Sequence, residues 1–155
     1  MVGFQRRVAR PNEPKPVYPG TSIDRYSEIT AITYDGLVPG DFAFRSAQVG
    51  RQSLNIASKT GGYLLGMVIR KYDPYRNNYP YDNNVHITIL VRGQVYAVVP
   101  EGQTPSFGQA VLCDPASGEV TYGKAGDPND TGWKVLYVTG LTTDQGRNLV
   151  VYEKL

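Results

Sequence analysis

The stretch FGQAVLCDPASGEVTY, residues 107–122, predicts a β-hairpin and indicates the fold class of the whole chain. Two short apolar runs flank a turn sequence that begins at Asp114. Pro115 presets the backbone for the second position of a type I turn, and the Asp114 side chain can accept hydrogen bonds from amides beyond it. Gly118 supplies the left-handed residue that closes a longer hairpin.

The same alternation of short apolar runs and turns recurs along most of the chain and predicts an all-β protein. About nine short antiparallel strands, joined by turns rich in Gly, Pro, Asn and Asp, are typical of a single β-barrel or β-sandwich. The predicted strands are 29–34, 42–45, 63–72, 85–91, 94–99, 110–113, 120–122, 133–138 and 148–153.

Four details of this prediction are specific enough to be checked. Residues 85–91 and 94–99 are expected to pair as a hairpin around a tight turn at Arg92-Gly93-Gln94. Gly66 is expected to mark a bulge in the strand that contains it. Cys113, the single cysteine, lies in an apolar run and is expected to be buried. No helix of more than two turns is expected.

Residues 1–22 are predicted to form an extended, basic N-terminal arm that precedes a β-domain at 23–155. Four prolines in this segment disfavour a helix and favour a polyproline-like backbone. The segment carries four basic residues and one acidic residue, whereas the remainder carries 12 basic and 13 acidic residues. A solvated tail and an arm that orders on a neighbouring subunit are both open, and the apolar residues Phe4, Val8, Val17 and Tyr18 favour the arm.

Residues 72–84 form the most unusual stretch of the body. They combine prolines, asparagines and tyrosines and contain no regular pattern. Tyrosine buries a large rigid surface at low entropic cost and keeps a hydroxyl for polar contacts. The composition favours a loop that contacts another protein, with a merely solvated loop as the alternative.

The chain is predicted not to be an enzyme and to need no cofactor, metal or small-molecule substrate. His86 is the only histidine, so His-based metal sites and Ser-His-Asp arrangements have at most one member. The Asp residues at turns have local capping roles, and residues 127–132 lack the ligand pattern of an EF-hand. No segment is predicted to span a membrane, and the sequence shows no export signal.

A nucleic-acid partner is disfavoured but has some support in the sequence. The cluster Arg70-Lys71-Tyr72…Tyr75-Arg76 combines basic and aromatic side chains, as single-strand binders do. The nearly neutral body gives little electrostatic attraction for phosphates. A nucleic-acid- or carbohydrate-binding β-module therefore stays as an alternative.

The spacing of turns and strands in residues 23–155 follows a pattern found in one known group of proteins. The residues that carry it are Val38-Pro39-Gly40-Asp41-Phe42, the strand at 93–99, Gly108-Gln109-Ala110-Val111, the hairpin at Asp114…Ser117-Gly118, and the strand pair 133–138 and 148–153. In this pattern the chain resembles the decoration, or structural cement, proteins of tailed-bacteriophage capsids. The long loop at 72–84 departs from that family.

The resemblance implies a β-body that binds the outer capsid surface and ties neighbouring major capsid subunits together. It also implies a dimer or trimer on the shell, an N-terminal arm that reaches along it, and no catalytic residues. Another virion part, such as a tail or head-completion protein, is a further alternative. Together with the arm and the loop, the resemblance predicts protein-interface residues at Arg6, Arg7, Arg10, Tyr18, Tyr75, Tyr79 and Tyr81.

Overall fold

A computed structural model describes residues 17–46, 55–70, 80–81, 85–143 and 145–155 of the chain. It contains nine strands, and the all-β prediction is confirmed. The strands are β1 Ser22–Asp35, β2 Phe42–Arg45, β3 Asn55–Ser58, β4 Leu64–Val68, β5 His86–Val98, β6 Ala110–Cys113, β7 Val120–Gly123, β8 Asp130–Thr142 and β9 Asn148–Lys154. Within these ranges no helix is long and apolar enough to cross a membrane.

The first five strands close into a barrel. The strand order is β1-β3-β2-β4-β5-β9-β8-β6-β7, and β1 also pairs with β5, which completes the ring β1-β3-β2-β4-β5. Strands β9, β8, β6 and β7 extend the sheet beyond the barrel, starting where β9 pairs with residues 93–98 of β5. All of these pairs are antiparallel except β1 with β3, which run parallel.

Two apolar cores hold these layers together. The smaller core fills the barrel with side chains such as Ala31, Ala43 and Ala57, whose small size suits a narrow ring of five strands. The larger core lies between the outside of the barrel and the four-stranded extension, and it contains Phe42 and Trp133 with their rings 6.4 Å apart. Strand β2 is therefore buried on both faces.

The hairpin predicted at 107–122 is present as β6 and β7. Asp114 organises its turn: the side chain accepts a hydrogen bond from the Ala116 amide at 2.9 Å, and its carbonyl accepts one from the Gly118 amide at 2.7 Å. Gly118 has the expected positive φ of 75°. Cys113 is buried, as predicted. Burial, together with the charges of Asp41 and Asp114, raises the pKa of its thiol to about 12.

The predicted hairpin at 85–99 is wrong, because these residues form one continuous strand, β5. Strand β1 pairs with it from Ile32 opposite His86 to Ser22 opposite Val95, and the pairing continues past Gly93 through a shift of register between Arg25 and Ser27. Gly93 serves close approach rather than a turn, since a Cβ there would lie 2.2 Å from the Asp24 carbonyl oxygen. Its φ of 148° belongs to a region that favours glycine.

Strand limits also differ from the predicted ones elsewhere: β1 begins at Ser22 rather than at 29, and β4 ends at Val68 rather than at 72. Strand β3 lies in the polar stretch for which no strand was predicted, and β8 extends well beyond 133–138 on both sides. The bulge predicted at Gly66 is confirmed, since the register of β4 against β2 shifts there. A count of nine strands thus agrees with the prediction although two predicted strands are one and one strand was not foreseen.

Candidate binding face

Residues 17–21, which we call the arm root, are the described part of the predicted N-terminal arm, and they are fastened to β5. The Gly20 amide donates to the Tyr96 carbonyl at 2.8 Å, and the Tyr96 amide donates to the Thr21 carbonyl at 3.0 Å. The Thr21 amide also bonds to the Tyr18 carbonyl at 3.1 Å and closes a turn with Pro19 and Gly20 at its centre. The chain is therefore anchored before β1 begins.

A second turn packs against the first. Residues 38–41 repeat the Pro-Gly arrangement, and the Asp41 amide donates to the Val38 carbonyl at 3.0 Å. A Cβ on Gly20 would lie 2.3 Å from the Pro39 Cβ, and a Cβ on Gly40 would lie 3.2 Å from the Pro19 Cβ. Each glycine thus makes room for the proline of the other turn. Both have positive φ, as the third residue of a type II turn requires.

Arg70, just beyond β4, holds the arm root from a third side. Its guanidinium carbon lies 4.9 Å from the centre of the Tyr18 ring, and its Nε donates to the Pro19 carbonyl at 3.3 Å. Its backbone amide donates to the Gly20 carbonyl at 2.7 Å. The Tyr18 ring is still 44% exposed, so the stacking leaves much of it available to a partner.

Tyr81 re-enters the body close to the same turns. Its amide donates to the Leu37 carbonyl at 2.9 Å, and its partly buried side chain packs against the core inside the barrel. The neighbouring Pro80 faces Gly36. Leu37 and Pro39 are two residues apart, so their Cα atoms are within about 7 Å. The loop at 36–40 therefore contacts the arm root through Pro39 and Gly40 and residues 80–81 through Gly36 and Leu37.

These contacts group the arm root, the 36–40 loop, residues 69–70 and residues 80–81 into one surface, a candidate for binding that we call the binding face. Of the predicted interface residues, Tyr18 and Tyr81 belong to it. The others, Arg6, Arg7, Arg10, Tyr75 and Tyr79, lie outside the described residues. Sequence reasoning placed Arg70 in a cluster suited to nucleic acid; its stacking on Tyr18 was not foreseen, since nothing in the sequence links positions 52 residues apart.

A cavity of about 510 Å³ opens beside this face. Its wall includes Pro19 of the arm root, the 38–41 turn and Gly118 of the β6–β7 hairpin. Within it Lys59 Nζ lies 3.7 Å from Asp41 Oδ2, which also accepts a 3.0 Å hydrogen bond from the Val38 amide. Burial raises the pKa of Asp41, and the Val38 amide and Lys59 offset only part of that effect.

The described parts of the chain contain no cluster of three or more His, Cys, Asp or Glu side chains that could hold a metal ion. His86 is exposed on β5. The face instead offers a stacked tyrosine, a guanidinium and prolines, which are groups that proteins use to contact other proteins.

Comparison with known proteins adds one match. The family model described as XM1 gp53 minor capsid protein matches residues 13–150, which is most of the chain. No curated protein matches the chain.

Proposed function

This chain belongs to the XM1 gp53 minor capsid protein family, and we propose from that membership that it is a cement protein of the capsid. It is a structural protein of the phage virion and is associated with the capsid. In the proposed role it binds the outer surface of the shell and links neighbouring major capsid subunits. It does so as a dimer or trimer, without catalysing a reaction.

The observation that best supports this role is the convergence of three chain positions on the binding face. The arm root and residues 80–81 both contact the 36–40 loop, and Arg70, which precedes the tyrosine-rich loop, contacts the arm root. Two segments whose composition favours protein contact are thus tethered next to each other. A single shell surface, or the junction of two subunits, is within reach of both.

The chemistry of the two segments assigns them different contacts. Arg6, Arg7 and Arg10 would pair with carboxylates of the capsid, because guanidinium groups form well-aligned hydrogen bonds with them. Tyr18, Tyr75, Tyr79 and Tyr81 would supply aromatic contact area. Since Tyr81 is partly buried, its share of that area would be smaller than that of the exposed Tyr18 ring.

Modest affinity for each contact is sufficient for this role. Ordering the arm on a second subunit costs conformational entropy, which lowers the affinity for a given contact area. Attachment through two tethered segments raises the effective concentration of the second once the first is bound. A copy that spans two subunits therefore resists their separation more than either contact alone would.

Removing residues 1–16 tests this role without touching the arm root. We expect the truncated protein to keep the melting temperature of the full chain and to bind empty capsid shells at least about tenfold more weakly, a loss of about 1.4 kcal/mol. Shells decorated with it should disrupt at a lower temperature than shells decorated with the full chain. Unchanged affinity for the shells would rule out the arm as the linking element.

A variant with Arg6, Arg7 and Arg10 all changed to Gln is the matched control for charge. It keeps the length and the prolines of the arm, so a loss of binding equal to that of the truncation would assign the effect to the guanidinium groups. Titration of the full chain with single-stranded oligonucleotides at several salt concentrations tests the alternative. Tight binding that weakens steeply with salt would favour a nucleic-acid-binding module instead.

A further inference from the structure

We propose that Arg70 is a positioning residue that fixes the direction in which the chain leaves the body at Tyr18. Three groups of Arg70 act on three successive residues of the arm root. The guanidinium stacks on the Tyr18 ring at 4.9 Å, Nε bonds to the Pro19 carbonyl at 3.3 Å, and the backbone amide bonds to the Gly20 carbonyl at 2.7 Å.

The backbone bonds hold the turn but not the Tyr18 side chain. The bonds of Gly20 and Thr21 to Tyr96 hold the end of the arm root that is nearer to β1, and the Thr21 amide holds the Tyr18 carbonyl at 3.1 Å. The Tyr18 ring, on the other side of the Pro19-Gly20 turn, stacks against the Arg70 guanidinium. A planar guanidinium over an aromatic ring is favoured both electrostatically and by the contact area of the two flat groups. Arg70 therefore acts on the residue at which the direction of the chain is set.

The sequence before the arm root gives the direction of the chain at Tyr18 a consequence for the residues that precede it. Pro14 and Pro16 precede the arm root, and proline restricts the backbone to a narrow range of φ. A segment restricted in this way would carry an orientation set at Tyr18 over several residues. The consequence for shell binding rests on the proposed function, whereas the orientation itself does not, and the two can fail separately.

Distance measurements between two spin labels test the proposal in the full chain, without capsid shells. Val17→Cys places one label in the arm root, one residue before Tyr18, and Phe107→Cys places the other at a residue that is 80% exposed. Cys113 does not interfere, because it is buried and its thiol pKa is about 12. We expect one narrow distance distribution, and we expect Arg70→Ala to broaden it about twofold or more.

Three further variants separate positioning from general stability. Tyr18→Ala should broaden the distribution as Arg70→Ala does, whereas Tyr18→Phe keeps the ring and should leave it narrow. Arg70→Lys keeps a cation over the ring, so its distance distribution should be narrower than that of Arg70→Ala. Arg45→Ala is the matched control, since it removes a similar pair in which the guanidinium carbon lies 5.6 Å from the centre of the Tyr63 ring. It should leave the distribution narrow.

The outcomes that overturn the proposal are distinct from those that concern the shell. A broad distribution in the chain with native Arg70 and Tyr18 would overturn it. So would a distribution that stays narrow in both Arg70→Ala and Tyr18→Ala, or one that broadens equally in Arg45→Ala. If Arg70→Ala lowers the melting temperature too far for the measurement, Tyr18→Ala at the half-exposed ring decides between these results.

Discussion

Gly20 and Pro39 show how single residues attach the arm root to the barrel. Each belongs to a Pro-Gly turn, and the two turns pack so closely that the hydrogen on the Gly20 Cα occupies the space that a methyl group would need. The arrangement combines two separate demands on one residue, a positive φ and the absence of a side chain. Substitution at such a position lowers the free energy of unfolding for two reasons, and the two contributions can be measured separately.

We expect Gly20→Ala to lower the free energy of unfolding by about 3 kcal/mol, from backbone strain and the overlap with Pro39. Gly102 is the control, because its φ of 76° is similar and no atom lies within 4 Å of the position of its Cβ. Gly102→Ala should cost only the strain, about 1 kcal/mol. Urea denaturation of both variants measures the difference. Equal costs would mean that the turns can move apart.

Asp41 should make the protein less stable as pH rises. Its pKa is raised by burial, so the folded state binds the proton more tightly than the unfolded chain does. Stability is then lost as pH rises from the unfolded pKa of 3.8 through the folded one. We expect Asp41→Asn to keep the bond from the Val38 amide and to be more stable than the native protein at neutral pH.

Asp130 provides a control of the opposite sign. The amides of Gly126 and Gly132 lower its pKa, so its contribution is present above its unfolded pKa and is lost as pH falls. Asp130→Asn should therefore reduce stability at neutral pH. Urea midpoints for both variants, measured from about pH 3 to pH 7, check the two signs. Lower stability of Asp41→Asn at neutral pH would show that the Lys59 pair outweighs burial.

Among the elements, β5 and the arm root depart most from the patterns of the sequence. An isolated glycine between two β-rich runs is typical of a turn, yet in β5 it lets the Asp24 carbonyl approach the strand. Which of these two uses applies depends on β1, a partner some 60 residues earlier in the chain. By contrast, Asp114 and Gly118 act on neighbours within four residues, and for that reason the β6–β7 hairpin was predictable.

The arm root was only partly predictable for the same reason. The two Pro-Gly pairs predict two turns, but nothing in the sequence indicates that they pack on each other or that Arg70 contacts them. Strand β3 was missed because its residues are polar and small, and its place is set by pairing with β1 and β2. Contacts between distant residues decided each of these features.

The arm root should be part of the folded body, whereas the residues before it should not contribute to its stability. Deleting residues 1–21 removes the bonds of Gly20 and Thr21 to Tyr96 and the contacts of Arg70, each worth about 1 kcal/mol. We expect a loss of about 2–4 kcal/mol in the free energy of unfolding. Deleting residues 1–16 should cost nothing measurable by urea denaturation. Equal stability of the two truncations would contradict the role of the arm root.

At the scale of the whole molecule, the two apolar cores and the proposed binding face lie mainly in different elements of the fold. The two cores occupy the barrel and the layer beside it, and the hairpin at 107–122 belongs to that layer. The proposed binding face lies where the chain leaves the barrel, at turns rather than on the core strands. The fold class was predictable because it depends on composition and local spacing. The location of the face was not, because it depends on how the barrel closes.

Closure of the barrel also bears on how the protein avoids aggregation. An open sheet presents unpaired amides and carbonyls that can recruit strands from other molecules. Here the pairing of β1 with β5 removes both edges from five strands at once. The edge that β7 leaves at the end of the sheet is four residues long and is flanked by Glu119 and Lys124. Such a short, charged border is a poor template for fibrils.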